Sequence, residues 1–404
     1  MSWKKVHIAD ICEIKSGKRI PKGFDFSPIT TDYRYIRARD IKKGKVDSSD
    51  LGYISKEVKD KIARYIVQED DVVVSIAGTI GEVGYVPSEL DGVNLTENAV
   101  RLTNFTEGVF SKFVLYWLMT EWSYEYMNGV AAGSAQPKLG IYKIEQIPIS
   151  LPSFEIQHRI ADILSAYDDL IENNRKQTKL LEEATQRLYK EWFVDLRFPG
   201  YEHTKIVDGV PEGWGKCSLG DVIEFDPKVQ LTKDRIKQFV PMSALNMSSM
   251  TLDTAELSET TSNSGSKFQN NDTLLARITP CLENGKTAFV HGIQSAEGAV
   301  GSTEYIVMRS KRLNPYMVYL HARTDGFRQA AINSMSGSDG RQRVKADKLK
   351  ALSYLLPPTT VVNQFGLFAA PIFELVFDLS EQAFQAACAR ERILPKLMSG
   401  EVEV

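Results

Sequence analysis

The sequence predicts an α+β protein in which two similar mixed α/β domains are separated by two long antiparallel helices, related by an internal pseudo-twofold repeat. Short β-rich segments divided by turn residues occupy two stretches of the chain, and a long helical periodicity follows each stretch. Similar segments also recur in the same order at a spacing of about 205 residues, as expected when one structural unit occurs twice. These patterns predict a first globular domain at 1–152, a helix at 153–197, a second domain at 198–358 and a second helix at 359–404.

Four short matches support the repeat. The segment that starts at Trp3 resembles the one that starts at Trp214, Asp71–Val74 resembles Asp272–Leu275, Gly133-Ser134 matches Gly337-Ser338, and Leu151-Pro152 matches Leu356-Pro357. Each match alone is weak, but four in one order at nearly one offset indicate duplication.

The globular halves contain short β-rich runs separated by Gly, Asn, Asp and Pro. These runs lie at Tyr33–Ile36, Val72–Ile76, Val83–Val86, Phe239–Val240, Thr287–Val290 and Tyr305–Met308. Phe113–Trp122 and Pro315–Arg323 have helical spacing, and we expect their aromatic side chains to pack in the cores.

Each long helix has apolar residues at a regular three-four spacing, which is typical of a helix that packs along a seam. The first seam is predicted at Ile160, Ile163, Tyr167, Leu170, Asn174, Gln177, Leu181, Ala184 and Leu188, and the second at Phe365, Phe368, Ile372, Leu375, Leu379, Gln382, Ala386, Ala389 and Ile393. The simplest partner for each seam is the other helix, packed antiparallel, with polar residues in the middle that fix the register. The alternative is that each helix packs on its own domain. Pro371 predicts a bend in the second helix, or a helix that begins only after it.

Composition places the chain among cytoplasmic globular proteins. No signal-peptide pattern is present, the apolar run Phe365–Leu379 is too short to span a bilayer, and the four cysteines are far apart. The net charge is −3, yet residues 15–45 contain ten Lys or Arg against three Asp, and residues 341–350 contain five against one. Such local basic patches could attract phosphates, although a solvated surface would have the same composition.

Catalytic motifs are missing from the sequence. It contains no phosphate-binding glycine loop, no metal-binding histidine spacing, no nucleophile elbow, and no Asn/Asp-Pro-Pro-aromatic tetrapeptide of the kind that amino-methyltransferases use. We therefore predict no catalytic residue, no metal site and no cofactor in this chain.

Several segments together resemble type I restriction–modification specificity subunits. The similar segments are Gly133–Leu139, Ile147–Pro152, Gln157–Leu164, Asp168–Asn174, Glu191–Gly200 and Ile393–Glu401. The second copy departs from this pattern at Thr359–Gln364 and at Pro371. The resemblance implies that each globular half is a target recognition domain for one part of a split, asymmetric site in double-stranded DNA. It also implies that the helices set the spacing and dock two modification subunits, which use S-adenosylmethionine, while ATP-dependent restriction subunits add translocation and cleavage.

Base edges are read by Arg, Lys, Asn, Gln or Thr on loops, and phosphates by the cations among these residues. The candidates in the first half are Lys18, Arg19, Arg37, Arg39, Thr79, Gln136 and Lys138, and those in the second half are Lys233, Arg235, Arg277, Asn284, Lys286, Arg341, Gln342 and Arg343. We expect the loops after the Asp71 and Asp272 turns to make the base contacts. Two alternatives remain open: a non-catalytic protein-binding scaffold or anti-restriction adaptor, and an enzyme such as a fused methyltransferase–nuclease.

Overall fold

The computed structural model describes residues 3–131, 137–338 and 340–404. The chain forms two compact units, Met1–Leu170 with Gln385–Val404 (unit 1) and Ile171–Phe384 (unit 2). Each long helix therefore contributes one part to each unit, whereas the sequence placed both helices in segments of their own.

Unit 1 is built from short strands, short helices and parts of the two long helices. Its strands are β1 (Lys4–His7), β2 (Glu13–Ser16), β3 (Arg34–Ile36), β4 (Ile41–Lys42), β5 (Gly44–Val46), β6 (Gly52–Tyr53), β7 (Val72–Ser75), β8 (Val83–Tyr85), β9 (Asn94–Leu95), β10 (Ala99–Thr103) and β11 (Pro148–Leu151). Its helices are α1 (Lys56–Lys61), α2 (Ser111–Leu118), α3 (Glu121–Ala131), α4 (Ile141–Glu145) and the start of α5 (Phe154–Phe193). The main sheet has the order β2-β10-β7-β8-β5-β4, and β6-β3-β9 forms a smaller one.

Unit 2 repeats this plan. Its strands are β12 (Ile206–Val207), β13 (Val210–Pro211), β14 (Gly215–Ser218), β15 (Ile223–Phe225), β16 (Lys237–Val240), β17 (Ser258–Thr260), β18 (Ser266–Phe268), β19 (Thr273–Ala276), β20 (Thr287–Phe289), β21 (Ala299–Gly301), β22 (Tyr305–Ser310) and β23 (Ser353–Leu356). Its helices are α6 (Leu219–Val222), α7 (Pro315–Ala322), α8 (Asp325–Asn333), α9 (Ala346–Lys350) and the first part of α10 (Thr359–Ser399). Two sheets have the orders β15-β22-β19-β20 and β17-β16-β21-β18.

The repeat predicted from sequence corresponds to matching strands. β7 pairs antiparallel with β10 and β8, and β19 pairs antiparallel with β22 and β20. Every residue of β7 and of β19 is buried, which explains why both strands are mostly apolar and show no alternation of apolar and polar residues. The predicted mixed α/β character of both halves is confirmed.

The predicted aromatic helices are confirmed as core elements, with one change in their limits. Phe113 and Tyr116 in unit 1 and Tyr319 in unit 2 are buried, and Trp117 and Tyr316 pack against the same cores. The segment predicted as one helix at Phe113–Trp122 is divided between α2 and α3. It breaks there because the Thr120 side chain accepts a hydrogen bond from the Ser123 backbone N–H and so starts a new helix.

The long helices are antiparallel within each unit. In unit 1 Asp168 pairs with Arg390, while Ile160 lies in the same core as Leu394 and Leu397. In unit 2 the Asn174 amide donates to Gln382 Oε1 at 3.3 Å, while Trp192 packs on Phe365. The predicted polar contact between the helices is therefore present at Asn174 and Gln382, but Asn174 is the buried member, whereas Gln177 and Gln382 are exposed. The alternative packing, each helix on its own domain, is also partly right, because both helices contribute side chains to the cores of both units.

The predicted seams are wrong by one residue at several positions. Leu170, Phe368 and Leu375 are 43%, 50% and 44% exposed, and Gln177 and Ala184 are exposed as well. The buried residues at these levels include Ile171, Thr178, Thr185, Ala369 and Val376. Other predicted seam residues are at least half-buried: Ile160, Phe365, Leu379 and Ala386 are buried, and Ile163, Tyr167, Leu181, Leu188, Ile372, Ala389 and Ile393 are half-buried. The periodicity predicted an apolar stripe along each helix but not which residues lie at the centre of its buried face. The centre depends on the domain core as well as on the other helix, because each helix packs against both.

Pro371 lies inside α10, which begins at Thr359, so the second helix does not start after the proline. Within the described residues, α10 is also long and apolar enough by length and composition to cross a membrane, with 28% of its most apolar window buried. The length argument made from Phe365–Leu379 therefore does not exclude a span. Phe365, Ala369 and Phe373 nevertheless belong to the core of unit 2, so this face of the helix is occupied by packing.

Candidate nucleic-acid interface

The loops predicted to contact bases follow two buried aspartates that are held in the same way. The Asp71 carboxylate accepts a hydrogen bond from the Gln68 backbone N–H at 2.8 Å and pairs with Arg101 at 2.9 Å. Asp272 accepts from the Gln269 backbone N–H at 2.8 Å and pairs bidentately with Arg309. A buried carboxylate needs such partners, and the result is a fixed turn before the central strand of each unit.

In unit 1 the loop after β7 is braced at both ends. Its glycines Gly78 and Gly81 have φ angles of 84° and 86°, a backbone conformation that side chains disfavour. The Thr79 hydroxyl lies 3.1 Å from the Ser75 hydroxyl, and the Asn128 amide donates to the Ile80 carbonyl. The loop tip is thus a rigid turn that a ligand could approach closely.

A cleft of about 600 Å³ opens in unit 1 next to this strand. Its lining brings together side chains from four separate parts of the chain: Lys18, Arg19 and Lys22, then Lys61, then Glu97, then Lys138. Three of these cations were predicted from sequence, and Lys22 and Lys61 were not named. Glu97 is the one carboxylate among the described residues that line the cleft, so the cleft is strongly basic and suited to a polyanion.

Arg37 and Arg39 are not among the residues that line the cleft. Arg37 donates to the buried Asp40 carboxylate through Nε and Nη2, both at 2.9 Å, and so holds its own turn together. Arg39 pairs with Asp50 at 2.9 Å on the surface. An exposed ion pair of this kind is weak and can be exchanged for a phosphate, whereas the Arg37 pair is structural. Gln136, the remaining candidate in this half, lies outside the described residues.

In unit 2 Arg277, Gln342 and Arg343 come together. The Gln342 carbonyl accepts from the Thr279 backbone N–H at 3.1 Å, and the Val344 backbone N–H donates to the Arg277 carbonyl at 3.0 Å. Arg343 donates to both oxygens of Glu304, and this hydrogen bonding lowers the pKa of the Glu304 carboxyl. The Arg343 guanidinium is therefore oriented and half-exposed.

The other candidates of unit 2 are spread over its surface. Lys286 donates to the Met242 carbonyl at 2.9 Å, and Arg235 lies 3.5 Å from Glu297. Lys233, Asn284 and Arg341 are exposed. The candidates predicted for this half thus serve different purposes. Arg277 and Lys286 bracket the loop after β19, and Asn284 lies within it.

The two units place equivalent segments over the central strand. In unit 1 the Leu139 backbone N–H donates to the Ile76 carbonyl at 2.9 Å, and in unit 2 Val344 makes the same bond to Arg277. Lys138 and Arg343 therefore occupy equivalent positions, one residue before these bonds. A cation therefore lies at the end of the equivalent strand in each unit: Lys138 at the end of β7 and Arg343 at the end of β19.

No cluster of His, Cys, Asp or Glu suited to a metal ion occurs in the described parts of the chain. Burial raises the pKa of Cys12 to about 12, so this thiol is a core group. The chemistry that the described residues offer is recognition of anions and of hydrogen-bonding edges.

Comparison with known proteins agrees with this geometry. Residues 1–183 match the family model for the type I restriction modification DNA specificity domain. The chain is 25% identical over 367 residues to the type I restriction enzyme MjaIX specificity subunit of Methanocaldococcus jannaschii, an alignment that covers 87% of this chain and 84% of the relative. It is 28% identical over 196 residues to the EcoEI specificity subunit of Escherichia coli, covering 47% of this chain and 33% of the relative.

A solved structure has the same fold. The crystal structure of the type I restriction–modification system S subunit from M. genitalium superposes with a TM-score of 0.63 at 16% sequence identity, covering 98% of this chain and 96% of that one.

Proposed function

We propose that this chain, which belongs to the family of type I restriction–modification specificity subunits, is the subunit that recognises the DNA sequence for such a system. The observation that supports the proposal most strongly is the repeat: each unit places a loop and a cation at the end of an equivalent buried strand, β7 in unit 1 and β19 in unit 2. Each unit would read one part of the site.

The side chains at these equivalent places differ, and this supports an asymmetric site. Unit 1 offers a cleft with several lysines around Glu97, whereas unit 2 offers Arg277 and the oriented Arg343. Because different hydrogen-bonding groups select different bases, the two halves of the DNA site would have different sequences.

The long helices would dock the modification subunits, of which we expect two. In unit 2 the α10 side chains Leu367, Phe368 and Leu375 form an exposed apolar stripe, and Leu367 is 79% exposed. Exposed apolar side chains at this density are typical of a surface that another protein covers. Docking at these residues is consistent with a chain that specifies the site and leaves methylation to a partner.

Catalysis would lie entirely in the partner subunits. We propose that S-adenosylmethionine is bound by the modification subunits and ATP by the restriction subunits, and that the assembly works in the cytoplasm on chromosomal DNA.

The proposal is tested by sequencing the methylome of a host that expresses this chain with its modification subunit. We expect a methylated split motif that disappears when the gene for this chain is deleted and returns when it is restored. A methylation pattern that is identical with and without the chain would contradict the proposal. As a control, a variant with changes only at exposed positions outside the cleft and loops, such as Glu107→Ala, should preserve the motif.

A further inference from the structure

Glu97 is an acidic residue in a cleft whose other charged residues are cations. It lines the cleft of unit 1 together with Lys18, Arg19, Lys61 and Lys138. A carboxylate beside a DNA backbone is repelled by phosphates, so a purely electrostatic groove would be better without it. The surrounding cations offset this repulsion and leave the carboxylate available for a directional contact.

The hydrogen bonding of Glu97 is incomplete. Its Oε1 atom lies 3.2 Å from Arg19 Nε. Its Oε2 atom is buried and has no hydrogen-bond partner in the described part of the chain. An unsatisfied buried acceptor is unfavourable, and a charged one more so, which indicates that a donor is supplied when the cleft is occupied.

In unit 2 the loop after β19 contains a buried group of the opposite polarity. Arg277 directly follows β19, as Ile76 directly follows β7. The Arg277 backbone N–H donates to the Glu304 carbonyl, and the Ile76 backbone N–H donates in the same way to the Asn98 carbonyl. Arg277 Nε and the Thr279 hydroxyl are buried groups of this loop that have no hydrogen-bond partner among the described residues. Unit 1 thus has a buried acceptor without a hydrogen-bond partner, Glu97 Oε2, and unit 2 has a buried charged donor without one, Arg277 Nε, among the described residues.

We propose that Glu97 is a specificity-determining residue that accepts a hydrogen bond from the exocyclic amino group of a base in the DNA half-site of unit 1. The lysines of the cleft hold the flanking phosphates. In the major groove the amino groups are cytosine N4 and adenine N6, and carboxylate side chains accept from such groups. The inference rests on the proposed function and adds the chemical class of base that one unit requires.

The experiment uses the complex of this chain with its modification subunit and duplexes that carry the methylated motif. At each position in turn, cytosine is replaced by 2-pyrimidinone, or adenine by purine, each of which lacks the exocyclic amino group. Binding is measured by fluorescence anisotropy. We expect one position at which loss of the amino group weakens binding by about 5- to 150-fold, the range of one good base contact. Whether that position holds cytosine or adenine identifies the source of the amino group.

Variants assign this effect to Glu97. In Glu97→Ala the penalty for the missing amino group should vanish, whereas it should persist in Arg277→Ala and in the matched control Glu107→Ala, an exposed acid outside the cleft. Should Glu97→Ala fail to assemble, Glu97→Met keeps the length of the side chain without an acceptor and is tested in its place.

Two results have different meanings. A wild-type complex that methylates no defined sequence would contradict the proposed function itself. A wild-type complex that reads a defined motif would overturn the assignment of Glu97 in two cases, both of which leave the proposed function intact. In the first, the half-site of unit 1 has no amino-dependent position. In the second, every amino-dependent position of that half-site keeps its dependence in Glu97→Ala or Glu97→Met.

Discussion

The two units make chemically different contacts at equivalent positions of their long helices. Asp168 in α5 and Phe373 in α10 occupy equivalent turns of the two long helices. Each follows a Leu-Pro dipeptide at the end of the preceding strand by the same number of residues. In unit 1 the Asp168 carboxylate accepts a hydrogen bond from the Tyr116 hydroxyl at 2.7 Å and pairs with Arg390. In unit 2 Phe373 is buried among the rings of Phe289, Tyr316 and Tyr319.

The difference shows that the repeat preserves the position of a contact and not its chemistry. Asp168 and Arg390 are only 13% and 12% exposed, so their charges are largely removed from water and depend on each other. Burial, followed by the charge of Asp168, raises the pKa of Tyr116 well above its ordinary value, so this hydroxyl remains a donor. The aromatic cluster of unit 2 has no such mutual dependence, because its stabilisation comes from apolar area and ring packing.

The largest effect is expected at Phe373. Phe373→Ala removes a fully buried ring from the aromatic cluster and should lower the free energy of unfolding of unit 2 by about 4 kcal/mol, with little dependence on salt. Hydrogen exchange of α7 amides measures this loss locally and avoids the assumption that both units unfold together. Equal protection of α7 in Phe373→Ala and in the wild type would show that the cluster does not carry this junction.

A somewhat smaller effect is expected at Asp168. Asp168→Ala leaves the buried Arg390 guanidinium with Glu391, a largely exposed carboxylate, as its remaining partner and should lower the stability of unit 1 by about 2 kcal/mol. The double variant Asp168→Leu with Arg390→Met removes both charges and should recover most of that loss. Hydrogen exchange of α2 amides is the measurement. If the double variant were as unstable as Asp168→Ala, the loss of stability would not arise from the charge of Arg390 left without Asp168.

The units should also respond differently to pH. Burial lowers the pKa of His321 from 6.5 to about 4, and the Tyr189 hydroxyl lies 3.2 Å from its Nδ1 atom. Below pH 6.5 the unfolded chain binds a proton that the folded chain refuses. Stability from this residue is therefore fully present above pH 6.5 and is lost as pH falls toward 4. We expect unit 2 to lose about 2 kcal/mol between pH 7.5 and pH 5 through His321.

His321→Gln is the matched variant for this experiment, because it does not titrate and keeps an acceptor for Tyr189. Hydrogen exchange of α7 amides at both pH values should show the loss in the wild type but not in His321→Gln. A pH dependence of α7 that is the same in both proteins would refute the role of His321.

The sequence predicted the fold because its signals are local or repeated. The buried runs of β7 and β19, the aromatic helices and the long helical periodicity are each readable within one window. The phase of the seam was missed at Leu170 and Phe368, because burial at those levels depends on which side the domain core lies, and no local pattern contains that information.

The candidate site was only partly predictable for a related reason. Lys61 lies on α1 and reaches the cleft only after folding, so no spacing links it to Lys18 or Lys138. The structural role of Arg37 did have a signal, namely Asp40 three residues later in a turn. Glu97 had none, since an acid was not among the residue types searched for phosphate contacts.

The smallest predicted effect concerns the cations that face DNA in the two units. Lys138→Ala removes a cleft lysine of unit 1 and should weaken non-specific duplex binding by a few fold, lowering the slope of log affinity against log salt by about one phosphate contact, or roughly 0.9. Arg235→Ala in unit 2 should change this slope less, because Arg235 is already shared with Glu297. Lys56→Ala, an exposed lysine of α1 that does not line the cleft, is the control and should leave the slope unchanged. Salt titrations of duplex binding by the complex measure all three. Equal slopes for Lys138→Ala and Lys56→Ala would mean that the cleft of unit 1 does not contact the DNA backbone.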